Sequence, residues 1–176
     1  MKIIKTKIKD LLIVQQKNNI DARGGLREIF NRKILKQGNF VFEYCTTSKA
    51  NSLRGFHFQH KFQQAKYVNV LKGKILDYVI DLRKNSKTFG KVYSCILSEK
   101  NTKSIFIPEG FAHGFQGLGK ENYIIYSCTK YREKNSEVTI DIWDKDLNIK
   151  WPIKKKIVSK KDKKGITFQK YKEIYL

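Results

Sequence analysis

The amino-acid sequence predicts an all-β protein folded as an antiparallel sandwich or barrel. The first observation is a series of short apolar or alternating segments of strand length, at 40–44, 67–71, 75–82, 91–97, 104–107, 123–128 and 138–142. The second is that turn-forming residues separate these segments, as in Lys72-Gly73-Lys74, Asn85-Ser86-Lys87 and Glu99-Lys100-Asn101. Many short strands divided by such turns are typical of sandwiches and barrels.

The segment 123–128 shows the clearest alternation. Side chains point alternately to the two faces of a strand, so Ile124, Tyr126 and Cys128 should share one face. A tyrosine on an inward face would carry its hydroxyl group into the interior of the protein. Helical periodicity is weak throughout, and only the segment 26–37 and the Lys-rich C-terminal tail are modest helix candidates.

Length and composition predict one domain over residues 1–176. A chain of 176 residues with 40% hydrophobic and 12% aromatic residues can bury a core, and is short for two domains. The sequence contains no internal repeat, no linker, no apolar run of membrane-spanning length and no secretion signal. We therefore expect a cytoplasmic protein with no membrane partner.

The formal net charge of +21 raises the possibility of nucleic-acid binding, because clustered basic residues neutralise phosphates. Most of the 37 basic residues are lysines spread over the whole chain, whereas readers of bases and phosphates favour arginine. The densest clusters are Lys154 to Lys156 and Lys160 to Lys164, which are typical of a solvated surface. We expect no specific nucleic-acid partner.

Cys45, Cys95 and Cys128 are odd in number, far apart and free of any Cys-x-x-Cys spacing. This pattern favours reduced thiols in a cytoplasmic protein over a disulfide framework or a zinc site.

Two of the 3 histidines lie among glycines and aromatic residues, His57 in the segment 53–59 and His113 in the segment 108–115. A neutral imidazole can take or give a proton near physiological pH. A buried, hydrogen-bonded structural histidine is the alternative for each, and the residues alone do not decide between them.

The amino-acid sequence around both histidines resembles that of the dTDP-4-dehydrorhamnose 3,5-epimerase family. The matching stretches run in the family's order: Asp21 to Gly24 with Glu28, Leu53 to Gln59, Gln64 to Lys66, Asp81 to Arg83, Thr88 to Gly90, Ile107 to Phe115, Tyr126, Trp143-Asp144, Trp151-Pro152 and Ser159 to Asp162. The resemblance implies a cupin-like double-stranded β-helix, or jelly roll, with short helical segments. It also implies an isomerase that epimerises a nucleotide-linked 4-keto-6-deoxy sugar in rhamnose-type biosynthesis.

Epimerisation next to a ketone needs a base, a group that holds the enolate oxygen, and an acid on the opposite face. By resemblance His57 is the base, oriented by Asp162, while Tyr126 is the acid and Lys66 the cation beside the enolate. Each residue has a structural alternative: charge relief for Asp162, an exposed edge position for Lys66 and core packing for Tyr126.

The resemblance also implies residues that bind the substrate and a form of assembly. The implied contacts to the sugar and diphosphate are Arg23, Glu28, Arg54, His113 and Lys161. The family is generally a homodimer with strands crossing between subunits, so Arg23 and Glu28 would serve the neighbouring site. We expect a sugar-nucleotide substrate and no cofactor.

The chain departs from the family's usual pattern in two places. Phe42, Glu43 and Tyr44 stand where the family usually has Gln, Asp and Asn, and Arg132 stands where a tyrosine usually stacks on thymine. A flat guanidinium can also stack on a base, so Arg132 remains a candidate nucleotide contact. The identity of the base and sugar stays open.

Metal-binding cupins place two histidines two residues apart on one strand face, whereas His57 and His60 are three apart and should face opposite ways. We therefore expect no catalytic metal. Three functions remain: a 3,5-epimerase, an epimerase acting at C3 only or on another nucleotide-linked 4-keto sugar, and a non-catalytic sugar- or nucleic-acid-binding jelly roll.

Overall fold

The computed structural model describes residues 1–176. Its strands are β1 (Lys2–Lys5), β2 (Leu12–Gln15), β3 (Asn18–Asp21), β4 (Gly24–Arg27), β5 (Phe42–Lys49), β6 (Ser52–Gln59), β7 (Lys66–Lys72), β8 (Lys74–Asp81), β9 (Val92–Ser98), β10 (Lys103–Ile107), β11 (Phe111–Gly117), β12 (Glu121–Cys128), β13 (Glu137–Thr139) and β14 (Ile157–Val158). Helical structure consists of 3₁₀ turns at Lys134–Ser136 and Asp162–Lys164 and the helix α1 (Phe168–Tyr175).

Two large sheets and one hairpin organise these strands. The first sheet has the order β1-β2-β10-β7-β12-β5, and the second has the order β13-β6-β11-β8-β9 with β14 beside β6. The strands β3 and β4 form a separate two-stranded sheet. All pairings among the named strands are antiparallel except that of β14 with β6. The antiparallel all-β architecture predicted from the turn pattern is confirmed.

The largest core cluster joins side chains from both large sheets. Val68 and Ile124 of the first sheet and Val79 and Phe115 of the second belong to this cluster, and each is at most 2% exposed. Ile124, Tyr126 and Cys128 of β12 all belong to it too, so the predicted shared face of that strand is confirmed. Burial of this apolar surface is the main force that holds the sheets together.

The seven predicted strands all exist, and at two of them one end shifts by three residues or more. The segment 40–44 begins later and continues to Lys49, and the segment 138–142 is the strand β13, followed by an isolated bridge between Ile140 and Ile166. Strands β1 to β4 and β14 were not predicted, nor were β6 and β11, which carry His57 and His113.

Glycine explains why β6 and β11 were missed. Gly55 and Gly114 read as turn residues in the sequence, but here they allow two paired strands to approach closely. A Cβ atom on Gly55 would lie 2.5 Å from Cα of Gly114, and Gly55 adopts a φ of +130° that other residues rarely adopt.

One of the two helix candidates is wrong. The segment 26–37 finishes strand β4 and then forms irregular turns, in which Asn31 accepts the backbone N–H groups of Ile34 and Leu35. The Asn31 side chain also accepts the N–H of Lys33, so it caps a single turn over residues 32–34 that does not continue as a helix. The Lys-rich tail does form α1, whose first turn is capped by the Thr167 hydroxyl.

The three cysteines are free, as predicted. No helix of the structure combines the length and the apolar character that crossing a membrane requires. The clustered lysines Lys154, Lys155, Lys160, Lys163 and Lys164 are all exposed, which fits a solvated surface.

Candidate active site

A cavity of about 690 Å³ lies between the two large sheets. Strands β5, β7 and β12 of the first sheet form one wall, strands β6 and β11 of the second sheet form another, and the segment after β14 completes it. Among its lining residues are most of those predicted from the sequence: His57, Tyr126, Asp162, Lys66, Arg54, His113, Arg132 and Lys161. The fold therefore gathers residues from distant parts of the chain, such as His57 and Asp162, which lie 105 positions apart.

His57 and Asp162 form a hydrogen-bonded pair at this cavity. Nε2 of His57 lies 2.7 Å from Oδ1 of Asp162, and the Asp162 side chain is buried while that of His57 is 35% exposed. Burial opposes ionisation of Asp162, but the hydrogen bond and charge of His57, together with hydrogen bonds from Ser159 and the Gly55 backbone, outweigh it, so the pKa of Asp162 lies below its usual value. The carboxylate thus accepts Nε2–H and leaves Nδ1 of His57 free to act as a base.

Local structure places both members of the pair. His57 lies in β6, where it is paired with His113 of β11 on one side and Thr139 of β13 on the other. The Ser159 hydroxyl accepts the backbone N–H of Asp162 at 3.0 Å, at the start of the 3₁₀ turn Asp162–Lys164. The charge-relief alternative for Asp162 is therefore wrong, because its side chain is turned inward to His57.

Tyr126 stands on the opposite wall, in β12. Its ring stacks on that of Tyr44 with a centroid distance of 4.7 Å and meets the edge of the His113 ring at 5.8 Å. Burial, followed by the neighbouring Tyr44, raises the pKa of Tyr126 well above its usual value. Tyr126 therefore stays protonated at neutral pH and can act as a proton donor, although the core-packing alternative also holds for its ring.

Lys66 lies in β7, an interior strand of the first sheet, so the exposed-edge alternative is wrong. Desolvation lowers the pKa of Lys66, opposed by the charges of nearby groups that include Asp77. No carboxylate oxygen lies within ion-pairing distance of its ammonium group. A cation that lacks a protein partner in a cavity is suited to an anionic oxygen of a ligand.

His113 has a carboxylate partner that sequence reasoning missed. Nε2 of His113 lies 2.7 Å from Oδ2 of Asp77, and both side chains are buried. Burial raises the pKa of Asp77, against the opposing effect of His113. The available signal was an acidic residue inside the apolar segment 75–82. The Asp77 bond fixes the orientation of the His113 ring toward the cavity.

Arg54 lies at the mouth of the cavity. Its Nε donates to the Ser48 hydroxyl at 3.0 Å and its Nη2 to the Thr47 carbonyl at 3.1 Å. Both acceptors belong to β5, so a neighbouring strand holds the guanidinium in place. Nη1 has no protein acceptor and can bind an oxygen of a phosphate group.

Arg132 and Lys161 are joined at the rim by Glu137, which was also not predicted. Nε of Arg132 lies 2.7 Å from Oε1 of Glu137, and Nζ of Lys161 lies 2.7 Å from Oε2. The Arg132 hydrogen bond, opposed by burial and assisted by Lys161, lowers the pKa of Glu137 to about 2. No signal in the sequence marks Glu137. Its two bonds to Arg132 hold the plane of the guanidinium.

Arg23 and Glu28 do not join this cavity within one chain. Arg23 lies at the tip of the exposed β3–β4 hairpin, where its side chain is 90% exposed and pairs with Asp21. Glu28 follows the hairpin and is also exposed.

His57 and His60 face different ways, as their spacing predicts. His57 lines the cavity, whereas the His60 ring packs 5.2 Å from that of Tyr175 and its Nδ1 lies 3.1 Å from the Ser136 carbonyl. The structure has no group of three or more His, Cys, Asp or Glu side chains arranged to hold a metal ion.

Comparison with known protein families shows to which family the chain belongs. The family model described as dTDP-4-dehydrorhamnose 3,5-epimerase matches residues 5–170. The chain belongs to this family. The resemblance read from the sequence, the predicted jelly-roll fold and the predicted isomerase are thereby confirmed.

Individual family members match over nearly the whole chain. A dTDP-4-dehydrorhamnose 3,5-epimerase of Shigella flexneri is 38% identical over 174 residues, which are 96% of each chain. The crystal structure of the epimerase from Elizabethkingia anophelis superimposes with a TM-score of 0.91 and 37% identity, covering 100% of this chain and 99% of that one. The structure of a Legionella pneumophila 3,5-epimerase in complex with dTDP-4-keto-L-rhamnose gives a TM-score of 0.91 and 36% identity, covering 96% and 93%.

Proposed function

We propose that this protein epimerises a nucleotide diphospho-4-keto-6-deoxysugar at C3 and C5, with dTDP-4-dehydro-6-deoxy-D-glucose as the substrate. The observation that carries the proposal is the placement of His57 and Tyr126 on opposite walls of one cavity, with Lys66 on β7, the strand beside that of Tyr126. Inversion at a carbon requires a base on one face and an acid on the other, and these two residues supply them.

The reaction begins with proton removal by Nδ1 of His57, while Asp162 stabilises the imidazolium that forms. The electron pair of the broken C–H bond moves to the C4 carbonyl oxygen, which becomes an enolate oxygen beside the Lys66 ammonium. Positioned charges of this kind lower a barrier because they need no reorganisation during the reaction.

Reprotonation completes the inversion. The Tyr126 hydroxyl gives its proton to the carbon from the face opposite His57, and the enolate returns to a ketone. Tyr126 is then a phenolate and His57 an imidazolium, and proton exchange with solvent restores both. The cycle is balanced without any cofactor or metal.

Charged groups at the mouth of the cavity bind the nucleotide diphosphate. Arg54 and Lys161 supply positive charge for the phosphates, the guanidinium plane of Arg132 faces the base, and His113 contacts the sugar. The localised positive charge serves this substrate and not a nucleic acid.

We further propose that residues 1–176 are one domain, that the protein is cytoplasmic and that it forms a homodimer. The β3–β4 hairpin supports the dimer, because Ile20 and Leu26 are 77% and 69% exposed and would be buried against a second copy. In such a dimer Arg23 and Glu28 reach the neighbouring site.

The proposal is tested by incubating the protein in deuterated water with dTDP-, GDP- and UDP-linked 4-keto-6-deoxy sugars. Deuterium at C3 and C5 of the dTDP-linked sugar, with inverted product, is the expected result. Deuterium at C3 alone would indicate a C3 epimerase, and uptake with another nucleotide would change the substrate. Binding without exchange of any of these sugars would indicate a non-catalytic binding protein.

A further inference from the structure

Tyr44 and Tyr126 form the closest ring stack in the cavity wall. Their centroids are 4.7 Å apart and their planes differ by 7°. The two residues are directly opposite each other in the antiparallel pairing of β5 with β12, so both side chains leave the sheet on the cavity side. The Tyr44 hydroxyl makes no hydrogen bond, so stacking is what fixes its own ring.

Tyr44 is also the outermost side chain of the sheet that covers the Tyr126 ring. Strand β12 lies between β7 and β5, and Tyr126 faces Val68 on β7, a fully buried core residue. Strand β5 is the outer strand of the sheet, so no further strand of the chain lies beyond Tyr44. If Tyr44 were small, one face of the Tyr126 ring would open into the cavity.

The wall beside Tyr44 is aromatic as well. The Phe42 ring lies 5.5 Å from that of Tyr44 and 6.0 Å from that of Tyr131. These tilted rings flank Tyr44 and form no stack with Tyr126. An amide side chain in place of Tyr44 could not cover a ring face in this way.

We propose that Tyr44 is a positioning residue for Tyr126: it holds the ring in one orientation and keeps water from the Tyr126 hydroxyl, so that the enolate receives its proton from Tyr126. This inference rests on the proposed function. Without the cover, Tyr126 would be mobile and hydrated, and the enolate would more often take back a proton from the His57 side, with exchange but no inversion. Burial raises the pKa of Tyr126 and Tyr44 adds to the effect, which keeps the acid protonated.

The test compares Tyr44→Phe with Tyr44→Leu in deuterated water. The readout is the ratio of deuterium in recovered substrate to deuterium in inverted product, together with the pH dependence of kcat. Tyr44→Phe keeps the stack and should leave the deuterium ratio unchanged. Tyr44→Leu removes the flat cover and should shift the ratio toward recovered substrate on the order of tenfold, the size of effect expected for a misplaced acid. The alkaline limb of the kcat profile of Tyr44→Leu should move to lower pH.

Phe42→Leu is the matched control, because it removes a ring from the same face of β5 without uncovering Tyr126. It should leave the exchange ratio unchanged, and an equal shift in this variant would overturn the inference in favour of general loosening. Tyr44→Met serves in the same comparison if Tyr44→Leu does not fold. An unchanged ratio and pH profile in a folded Tyr44 variant that lacks the ring would also overturn it. Absence of exchange in the wild-type protein would instead contradict the proposed function.

Discussion

Nε2 of His57 lies 2.7 Å from Oδ1 of Asp162, although 105 residues separate the two along the chain. The bond commits Nε2 to the carboxylate and leaves Nδ1 as the basic nitrogen at the cavity. This one contact joins strand β6 to the C-terminal segment and gives the proposed base its tautomer.

His57→Ala should abolish deuterium exchange while the protein stays folded, with a loss on the order of 10²-fold or more for a positioned base. Asp162→Asn should act in the same direction, because an amide cannot stabilise the imidazolium. Exchange is measured by NMR, and His60→Ala is the control because His60 lies outside the cavity. Near-normal exchange in folded His57→Ala would rule out the mechanism.

Tyr126→Phe should separate exchange from inversion. His57 still forms the enolate, so deuterium enters the recovered substrate, but the proton returns poorly on the opposite face. Product stereochemistry measured beside deuterium content distinguishes the two. Tyr123→Phe, on the other face of the same strand, should behave as the wild type. Normal epimerisation by Tyr126→Phe would show that another group is the acid.

Arg54→Ala should weaken sugar-nucleotide binding strongly, because it removes a charge-assisted contact at the cavity mouth. Replacing Lys154, Lys155 and Lys156 together by Gln should hardly change it, since these lysines do not line the cavity and salt screens their charge. Calorimetric titration measures both affinities. Nucleic acid should bind weakly and lose affinity steeply with salt. Tight, sequence-selective nucleic-acid binding at physiological salt, without sugar-nucleotide binding, would contradict the prediction.

Glu137→Gln should destabilise the protein at pH 7 and much less at pH 3. The pKa of Glu137 falls from an ordinary 4.5 to about 2 in the folded protein, chiefly through Arg132. A lowered folded-state pKa contributes stability that is complete above pH 4.5 and is lost as the pH falls toward 2. Urea unfolding at both pH values measures the difference in free energy of unfolding between wild type and variant.

Glu109→Gln is the control for that experiment, because Glu109 makes only an exposed pair with Lys130 at 3.2 Å. Exposed pairs contribute about 0–1 kcal/mol, so this variant should stay close to wild type. If Glu137→Gln lowers the free energy of unfolding equally at pH 7 and pH 3, the loss is caused by packing and not by charge.

Gly55→Ala should lower the stability and the activity together. Its Cβ would lie 2.5 Å from Cα of Gly114, so β6 and β11 would have to separate at the strands that carry both histidines. Gly24→Ala is a matched control, with a φ of +132° and no atom within 4 Å of the added Cβ. Thermal unfolding should show a clearly larger loss for Gly55→Ala. Equal losses would mean that backbone strain alone accounts for both.

The sequence predicted the longer glycine-free strands well but missed the four-residue strands β1 to β4. The segments 67–71, 75–82, 91–97, 104–107 and 123–128 are all strands, within a few residues at each end. It failed at β6 and β11, because glycine signals a turn locally and permits a close strand contact only when a partner strand is present. It failed at 26–37, where strand β4 extends to Arg27 and only a single turn follows Asn31.

The resemblance supplied most of the residues at the cavity, but not the roles of Asp77, Glu137 or Tyr44. These residues act through neighbours: Asp77 through His113, Glu137 through Arg132 and Lys161, and Tyr44 through Tyr126. Asp77 and Tyr44 pair with residues of other strands, and Glu137 pairs with Arg132 and Lys161 outside the strands, so a strand pattern along the chain does not reveal them.

The sequence by itself determined the all-β class, the family and the identity of the proposed base, acid and cation, because alternation and ordered motifs are local properties of the chain. Only the tertiary structure decided which nitrogen of His57 is free, that Tyr126 stands on the wall opposite to it, and that Arg23 and Glu28 lie away from this chain's own cavity. The physical reason is that hydrogen bonds and ring stacks depend on distances across paired strands, which are fixed only when the two sheets pack around their shared core.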